Sequence, residues 1–385
     1  MHLFWTGLLA STAVFWMIEV VVLARGVRSI PSIAEAAFAS LDAKGPAISV
    51  LFAARDEAEK LPDALATMLT LDYPDYEVIA VDDRSRDRTH TILKQAAREN
   101  PHLKPIRVGS LPGGWLGKPH ALQQAYEHSS GEWLVFTDAD VHFAPDVLGR
   151  ALTLANQRNW DHLTLLCGAK MFTFGEKLIM TFFGIAFMIG TRPWEASNRR
   201  ASGYSGVGAF QMIRRTAYEQ LGTHRRLAME VVDDMKLGKL AKEAGVRSGV
   251  ARAGAAVTVH WHAGLGDTIR GTEKNFFAAT GFKLWRAVAQ IGAILLLCVM
   301  PVGALPWAHG WTRVFALIAT ALPLLATAGV AYELDSPLCY SLTYPLGAFL
   351  FAWMLARSTI ATLWRRGILW RGRFYPIEEL KRGVV

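Results

Sequence analysis

The feature that most constrains this chain is where its apolar residues fall. They crowd the first 25 positions and those after about 285, and the stretch between carries most of the acidic residues. Leu3 to Ala24 is an apolar run long enough to cross a bilayer, which takes about 20 helical residues. It has no basic leader and no small-residue cleavage site, so it reads as an anchor rather than a signal peptide. Glu19 interrupts it near its end, and Arg25 and Arg28 follow. The positive-inside rule places those arginines, and the domain after them, in the cytoplasm.

Three more apolar segments are expected at Val288 to Trp307, Val314 to Ala331 and Tyr340 to Leu363. Three full crossings would leave the C-terminus outside, yet Trp364-Arg365-Arg366 through Lys381-Arg382 is basic and reads as inside. Glu176 to Gly190 is also apolar but short. It fits an interfacial helix or a buried core helix. The expected organisation is an anchor at 1–28, an acid-bearing domain at 45–285, apolar helices at 286–364 and a basic cytoplasmic or interfacial tail at 365–385.

A net charge of +8 in so oily a chain fits basic residues at membrane edges or contact with anionic headgroups. The arginines are scattered and form no nucleic-acid motif. Cys167, Cys298 and Cys339 stand far apart, with no CxxC pair to hold zinc.

From Ala47 onward short apolar runs alternate with helical spacing. Strands are expected at Ile48–Ala53, Tyr76–Val81, Pro105–Val108 and Trp133–Thr137. Helices are expected at Glu57–Thr70, Asp87–Glu99 and Pro119–His128. This alternation implies an α/β fold with a parallel sheet covered on both faces, and such sheets bind ligands at the carboxyl ends of their strands. No GxGxxG follows the first strand, which disfavours a dinucleotide site.

Both acidic clusters fall at strand ends. Asp138-Ala139-Asp140 follows the run WLVF, and residues two apart on an extended segment face the same way. Two such carboxylates suit Mg²⁺ or Mn²⁺ bridging a diphosphate. Asp82-Asp83 ends the preceding strand, where paired acids can hydrogen-bond the base and ribose of a nucleotide. Ser85 or Asp87 can cap the helix that follows. Gly113-Gly114-Trp115-Leu116-Gly117-Lys118 enters a helix whose N-terminus favours anions, with Lys118 as a point charge and Trp115 placed to pack on substrate. Asp233-Asp234 opens a helix stopping at Gly245. The pair complements the helix dipole, or supplies a general base that deprotonates an acceptor hydroxyl.

In this order the elements resemble family 2 glycosyltransferases of the GT-A fold. SVLFAARDEAEKLP resembles that family's first strand and loop, VDDRSRDRT its first acidic motif, TDAD its metal motif and VVDDMKLGKLAKEAG its catalytic-base motif. The resemblance covers about Ile48 to Gly245, and the flanking apolar segments are similar to its integral-membrane branch. LPGGWLGKPHAL resembles a loop of hopanoid-associated and ceramide glycosyltransferases. WRGRFY, Trp370 to Tyr375, resembles the tail of lipid and carotenoid glycosyltransferases. The resemblance implies that Asp83, with Asp82, contacts the nucleotide and that Ala53, Arg55 and Glu57 line its pocket; Lys118, from its place at the helix entry, is expected to add a charge near the diphosphate. It implies that Asp138 and Asp140 hold the metal and diphosphate, and that Asp234 is the base with Asp233 beside it. It implies an inverting, metal-dependent transfer with no covalent intermediate.

The processive members' Gln/Arg-x-x-Arg-Trp motif has no counterpart in Ile269 to Asn275, which points to one sugar per acceptor. The acceptor site is expected to involve Trp115, Gly206 in the small-residue loop Ser205 to Phe210, Arg214, Trp261 and Arg270. The acceptor is expected to be a membrane lipid, and the donor a nucleotide-sugar, UDP-hexose by resemblance. Two alternatives stand beside it. One is transfer to polyprenyl phosphate, with Arg214, Arg215 and Arg270 as compensating cations. The other is a non-catalytic membrane scaffold or transport subunit. His260 and His262 share a strand face but have no third ligand for a metal.

Overall fold

The computed structural model describes residues 2–35 and 45–385. Met1, the first residue of the expected anchor, lies outside the described residues. The chain divides into two compact units. One comprises Ile30–Lys170, Pro193–His260 and Arg382–Val385; the other comprises Met1–Ser29, Met171–Arg192 and Trp261–Lys381.

The first unit is built on one mixed eight-stranded sheet. Its strands are β1 (Ile48–Ala54), β2 (Tyr76–Asp83), β3 (Leu103–Val108), β4 (Trp133–Asp138), β5 (Val141–Phe143), β6 (His162–Ala169), β7 (Gln211–Arg214) and β8 (Ser248–Val259). Their order is β3-β2-β1-β4-β7-β6-β8-β5. β3, β2, β1 and β4 are parallel, as the alternation predicts. β7 runs antiparallel between β4 and β6, and β6 is parallel to β8.

Side chains alternate along each parallel strand, and both faces are buried. Val50 and Phe52 of β1, Val78 and Ala80 of β2, and Trp133 and Val135 of β4 enter one core. Leu51, Ile79, Val81, Leu134 and Phe136 enter the other. Two-sided burial is what an all-parallel half-sheet requires. Deleting one such side chain, as in Phe52→Ala, costs about 3–5 kcal/mol.

Helices enter later than the spacing predicts. The first begins at Leu61 rather than Glu57, and the next at Thr89 rather than Asp87. The reason is a pair of interlocked loops. The Asp56 amide donates to Ser85 Oγ at 3.0 Å, the Glu57 amide to Thr89 Oγ1 at 2.9 Å, and the Ala58 amide to Asp87 Oδ2 at 3.0 Å. These side-chain oxygens satisfy amides that a helix start leaves orphaned, and they tie the two loops together ahead of the helices.

The second unit is helical. Among the described residues five segments are long and apolar enough to cross a membrane: His2–Ser29, Phe174–Glu195, Leu284–Ala304, Gly310–Glu333 and Leu338–Arg365. The segment read from sequence as too short, Glu176 to Gly190, lies within the helix Phe174–Thr191, which belongs to this unit and not to the sheet core. His2–Ser29 and Gly310–Glu333 run parallel, their starts joined by Thr6 Oγ1 and Thr312 Oγ1 at 2.5 Å. Trp16 Nε1 donates to the Leu297 carbonyl at 2.9 Å. A hairpin of β9 (Gly367–Trp370) and β10 (Arg373–Pro376) follows, and the short helix Ile377–Arg382 comes after it.

Candidate functional site

The carboxyl ends of β1, β2 and β4 gather the first acidic residues. Ala54 pairs with Asp82, and Ala53 with Asp138, so the register sets both clusters on the two sides of β1. The two acids of β2 diverge. Asp82 is fully buried; its Oδ1 accepts the Ser85 amide at 2.9 Å, and His90 and Arg107 lie 3.4 Å from its Oδ2. That position fixes the turn after β2. Asp83 is gripped by Arg84, whose Nε and Nη2 donate to Oδ1 and Oδ2 at 2.8 and 3.0 Å, with Arg55 Nη1 3.6 Å from Oδ2. A Cβ on Gly117 would overlap Asp83 Oδ2, so the helix Gly117–Glu127 starts directly against this carboxylate.

Lys118, the next residue, turns to β4. Its Nζ donates to Asp138 Oδ1 at 2.6 Å and lies 3.9 Å from Asp233 Oδ1. Burial works against the charged amine, but Asp138, Asp233 and Asp234 outweigh it and raise its pKa. Lys118 is therefore a permanent cation between the strand-end acids and the helix-start acids. The loop before it is anchored too, for the Leu116 amide donates to the Ala228 carbonyl at 2.7 Å. Trp115 packs edge-on against His120 at 5.4 Å. Asp140 is held by Lys60 at 3.1 Å.

Asp233 and Asp234 occupy the first turn of the helix Asp233–Glu243. Asp233 is buried, 4.0 Å from His224 Nε2. Burial, reinforced by the charge of Lys118, lowers the His224 pKa to about 3, so this imidazole stays neutral. Asp234 is half-buried and reachable. Its Oδ2 accepts the Gly208 amide at 2.9 Å, its Oδ1 accepts the Met235 amide at 2.8 Å, and its carbonyl accepts from Gln211 Nε2 at 3.1 Å.

Glycines make this approach possible. A Cβ on Gly208 would lie 2.5 Å from Asp138 Oδ2 and 3.2 Å from Asp234 Oδ2. The strand-end carboxylate and the helix-start carboxylate thus face each other across a side chain that Gly208 lacks. A Cβ on Gly206 would overlap the Asp234 carbonyl, and one on Gly238 the Ser205 carbonyl. The loop and helix are therefore in backbone contact. Thr137 Oγ1 donates to the Ala209 carbonyl at 2.8 Å and locks the same loop to β4.

Asp138 and Asp140 are hard-oxygen donors of the kind Mg²⁺ or Mn²⁺ takes, Asp138 paired with Lys118 and Asp140 with Lys60. Among the described residues no group of three or more His, Cys, Asp or Glu could hold a metal ion.

The structure brings Arg55, Asp83, Lys118, Asp138, Asp233 and Asp234 into one chain of contacts, with Ala53 beside Asp138 in register. Glu57 joins through its amide. Gly206 meets the backbone of Asp234 rather than an open acceptor channel. Arg214 does not join. It pairs in register with Trp133, five residues before Asp138 and about 17 Å back along β4. There it contacts Glu132 and Asp161 and stacks on Trp133 at 4.5 Å. Arg215 is spent on the Gly131 carbonyl and Ser129 at the same end. This corrects the expectation that either would compensate an acceptor charge. Trp261 and Arg270 belong to the helical unit. Trp261 lies 5.1 Å from Phe183, and Arg270 is exposed near Asp267 at 3.9 Å. Sequence reasoning missed Gly208, Lys60 and Arg84. Gly208 stands two residues from Gly206 in the small-residue loop, which was the available signal.

Acids at the carboxyl ends of β2 and β4, a basic loop entering a helix between them, and a second acidic pair opposite the first fit a glycosyltransferase domain of the GT-A fold. Residues 49–222, a little under half of the chain, match the family model described as Glycosyl transferase family 2. A beta-monoglucosyldiacylglycerol synthase of Trichormus variabilis is 36% identical over 105 residues, 27% of this chain and 22% of that protein. A 4,4'-diaponeurosporenoate glycosyltransferase of Staphylococcus haemolyticus is 23% identical over 194 residues, 50% of each chain. The chain thus matches half or less of these relatives' lengths. The solved mannosyltransferase PcManGT from Pyrobaculum calidifontis, in complex with GDP-Man and Mn²⁺, is 17% identical over 93% of this chain and 99% of its own, with a TM-score of 0.47.

Proposed function

We propose that this protein is an inverting glycosyltransferase that moves one sugar from a nucleotide-sugar, of the UDP-hexose class, to a membrane lipid on the cytoplasmic face. One observation carries the reading. Asp234 is reachable, pinned by the Gly208 amide, and opposed to Asp138 across the missing side chain of Gly208. A base and a diphosphate-binding acid so placed suit a single in-line displacement.

In that displacement Asp234 accepts the proton of the acceptor hydroxyl as its oxygen attacks the anomeric carbon. The bond to the diphosphate breaks on the opposite face, its electron pair leaves with the diphosphate, and configuration inverts. Lys118, already cationic between Asp138 and Asp233, is placed to offset charge on the leaving group. A divalent ion held by Asp138 and Asp140 would supply further neutralisation of the diphosphate. Asp233 is buried and keeps Lys118 in position.

The lipid acceptor is supported by the apolar helices and by relatives whose names specify lipid and carotenoid products. Polyprenyl phosphate is less favoured, because Arg214 and Arg215 are committed at the far end of β4. The test is transfer of label from radioactive UDP-glucose, UDP-galactose and UDP-N-acetylglucosamine into the lipid fraction of membranes holding the protein. Acid-stable label in lipid supports the proposal. Label released by mild acid shifts the acceptor to polyprenyl phosphate, and no incorporation from any donor contradicts it.

A further inference from the structure

We propose that residues 383–385 position Asp234, with the main chain of Val385 strapping together the two flanks of the segment that carries it. The inference rests on the reading that Asp234 is the base.

Asp234 lies in sequence between two buried groups of opposite charge. Glu230 comes before it and Lys236 after, 1% and 7% exposed, with Lys236 Nζ 3.6 Å from Glu230 Oε2. Burial works against both charges, raising the Glu230 pKa and lowering that of Lys236. Groups stripped of water in this way need hydrogen-bonding partners. Val385 supplies one to each. Its amide donates to Glu230 Oε2 at 3.2 Å, and its main-chain oxygen accepts from Lys236 Nζ at 2.5 Å. Its side chain packs against the core that Leu237 and Leu240 of the helix Asp233–Glu243 enter. Gly383 completes the contact. A Cβ there would overlap Met229 Cβ and lie 3.1 Å from Met229 Cα, so the strap lies directly on the residue before Glu230.

The helix that bears Asp234 has no side-chain cap at Val232. Without a cap, its first turn needs another restraint. Glu230 precedes the helix, whereas Lys236 stands on its first turn, its amide donating to the Val232 carbonyl at 3.1 Å. Val385 therefore ties the approach to the first turn. The turn cannot pivot about Val232 without breaking a hydrogen bond to a buried charge. The same stretch is also pinned to the site, Asp234 by the Gly208 amide and Ala228 by the Leu116 amide. With 383–385 released, Glu230 and Lys236 regain water and the segment loses one of its holds. Misplacing a reacting group by about 1 Å costs up to roughly a hundredfold in rate. The donor contacts depend less on this strap. Asp83 and Asp138 are carried by β2 and β4, and Lys118 keeps its closer partner, Asp138.

The experiment measures label transfer to lipid, calorimetric UDP binding and Tm for the full chain and four variants. Deleting 383–385 should lower kcat by about tenfold or more, with donor KM, UDP affinity and Tm near those of the wild type. Gly383→Ala should do the same. The φ of Gly383 is not in the left-handed region, so the clash with Met229 is the cost of that substitution. Val385→Pro removes the amide that Glu230 accepts and should also lower kcat. Val385→Ala keeps both main-chain bonds and should retain most of the wild-type kcat. An active wild type whose deletion variant keeps full kcat overturns the inference. So does a deletion that weakens UDP binding and lowers Tm along with kcat, the mark of a merely structural role. Val385→Pro as active as Val385→Ala overturns the part given to the main chain of Val385. A wild type that labels no lipid from any donor removes the reading of Asp234 as the base, and the inference with it.

Discussion

Gly206 and Gly208 lie two residues apart, yet substitution at each should read out differently. A Cβ at Gly206 strikes the Asp234 carbonyl, a backbone atom that cannot rotate away. Gly206→Ala should therefore destabilise the fold by about 1–3 kcal/mol, the usual cost of overpacking, visible as a lowered Tm. A Cβ at Gly208 strikes carboxylate oxygens of Asp138 and Asp234, which can swing. Gly208→Ala should leave Tm nearly unchanged and lower kcat at least tenfold, because the base and the diphosphate site are pushed apart. Equal losses of stability in the two variants would contradict this geometry. Lys118 gives a third residue-scale expectation. Its pKa is raised, so the stabilisation from its ion pairs is fully present at neutral pH and is lost only as pH rises beyond the ordinary lysine range. Lys118→Met should weaken UDP binding about tenfold or more, by the same factor at pH 6 and pH 8. A penalty that changed across that interval would point to another titrating group.

Among the elements, the parallel strands were legible because β1, β2 and β4 write their two-faced burial as short apolar runs, those of β2 and β4 ending in acids. The antiparallel β7 was not, since Gln211–Arg214 is four residues long and ends in charge. The base site was legible in Asp234 but not in Gly208, because their approach joins residues 26 apart through a backbone contact that no local pattern records. His162 shows how β6, β7 and β8 are tied. Its ring nitrogens lie 3.2 Å from Ser248 Oγ and from Gln211 Oε1. Burial lowers its pKa to about 4, below the ordinary 6.5. The unfolded chain thus takes up this proton first. The stabilisation is full above pH 6.5 and is lost as pH falls toward 4, by up to roughly 3 kcal/mol. His162→Gln should flatten that part of a Tm-against-pH curve. An unchanged slope would remove His162 as its source.

At the scale of the whole molecule, chain connectivity gives a testable expectation for the conflict between three C-terminal apolar segments and a basic tail. Residues 382–385 belong to the sheet-bearing unit, as does His260. Val385 is held there, its amide donating to Glu230 Oε2 at 3.2 Å and its main-chain oxygen accepting from Lys236 at 2.5 Å. With the apolar helices in a bilayer, the number of crossings between His260 and Arg382 must then be even. No more than two of the three segments are then expected to cross fully. The same logic forbids a crossing by Phe174–Thr191, because β6 before it and β7 after it are hydrogen-bonded neighbours in one sheet. Cleavable tags placed after Val385 and in the loop at Ser130 should be cut from the same side of sealed vesicles. Cleavage from opposite sides would contradict this topology. The interleaving itself was not legible, because two helices that read as parts of the sheet domain, Phe174–Thr191 and Gly264–Ala279, pack in the helical unit.

The central claim, a lipid glycosyltransferase whose base is Asp234, is met most directly by mass spectrometry of lipids from cells making the wild type or Asp234→Asn. The account predicts a lipid one hexose heavier with the wild type, and its loss, by about a hundredfold or more, with the variant. A glycolipid made equally well by both would contradict the assignment of the base, and no new lipid with either would contradict the lipid acceptor.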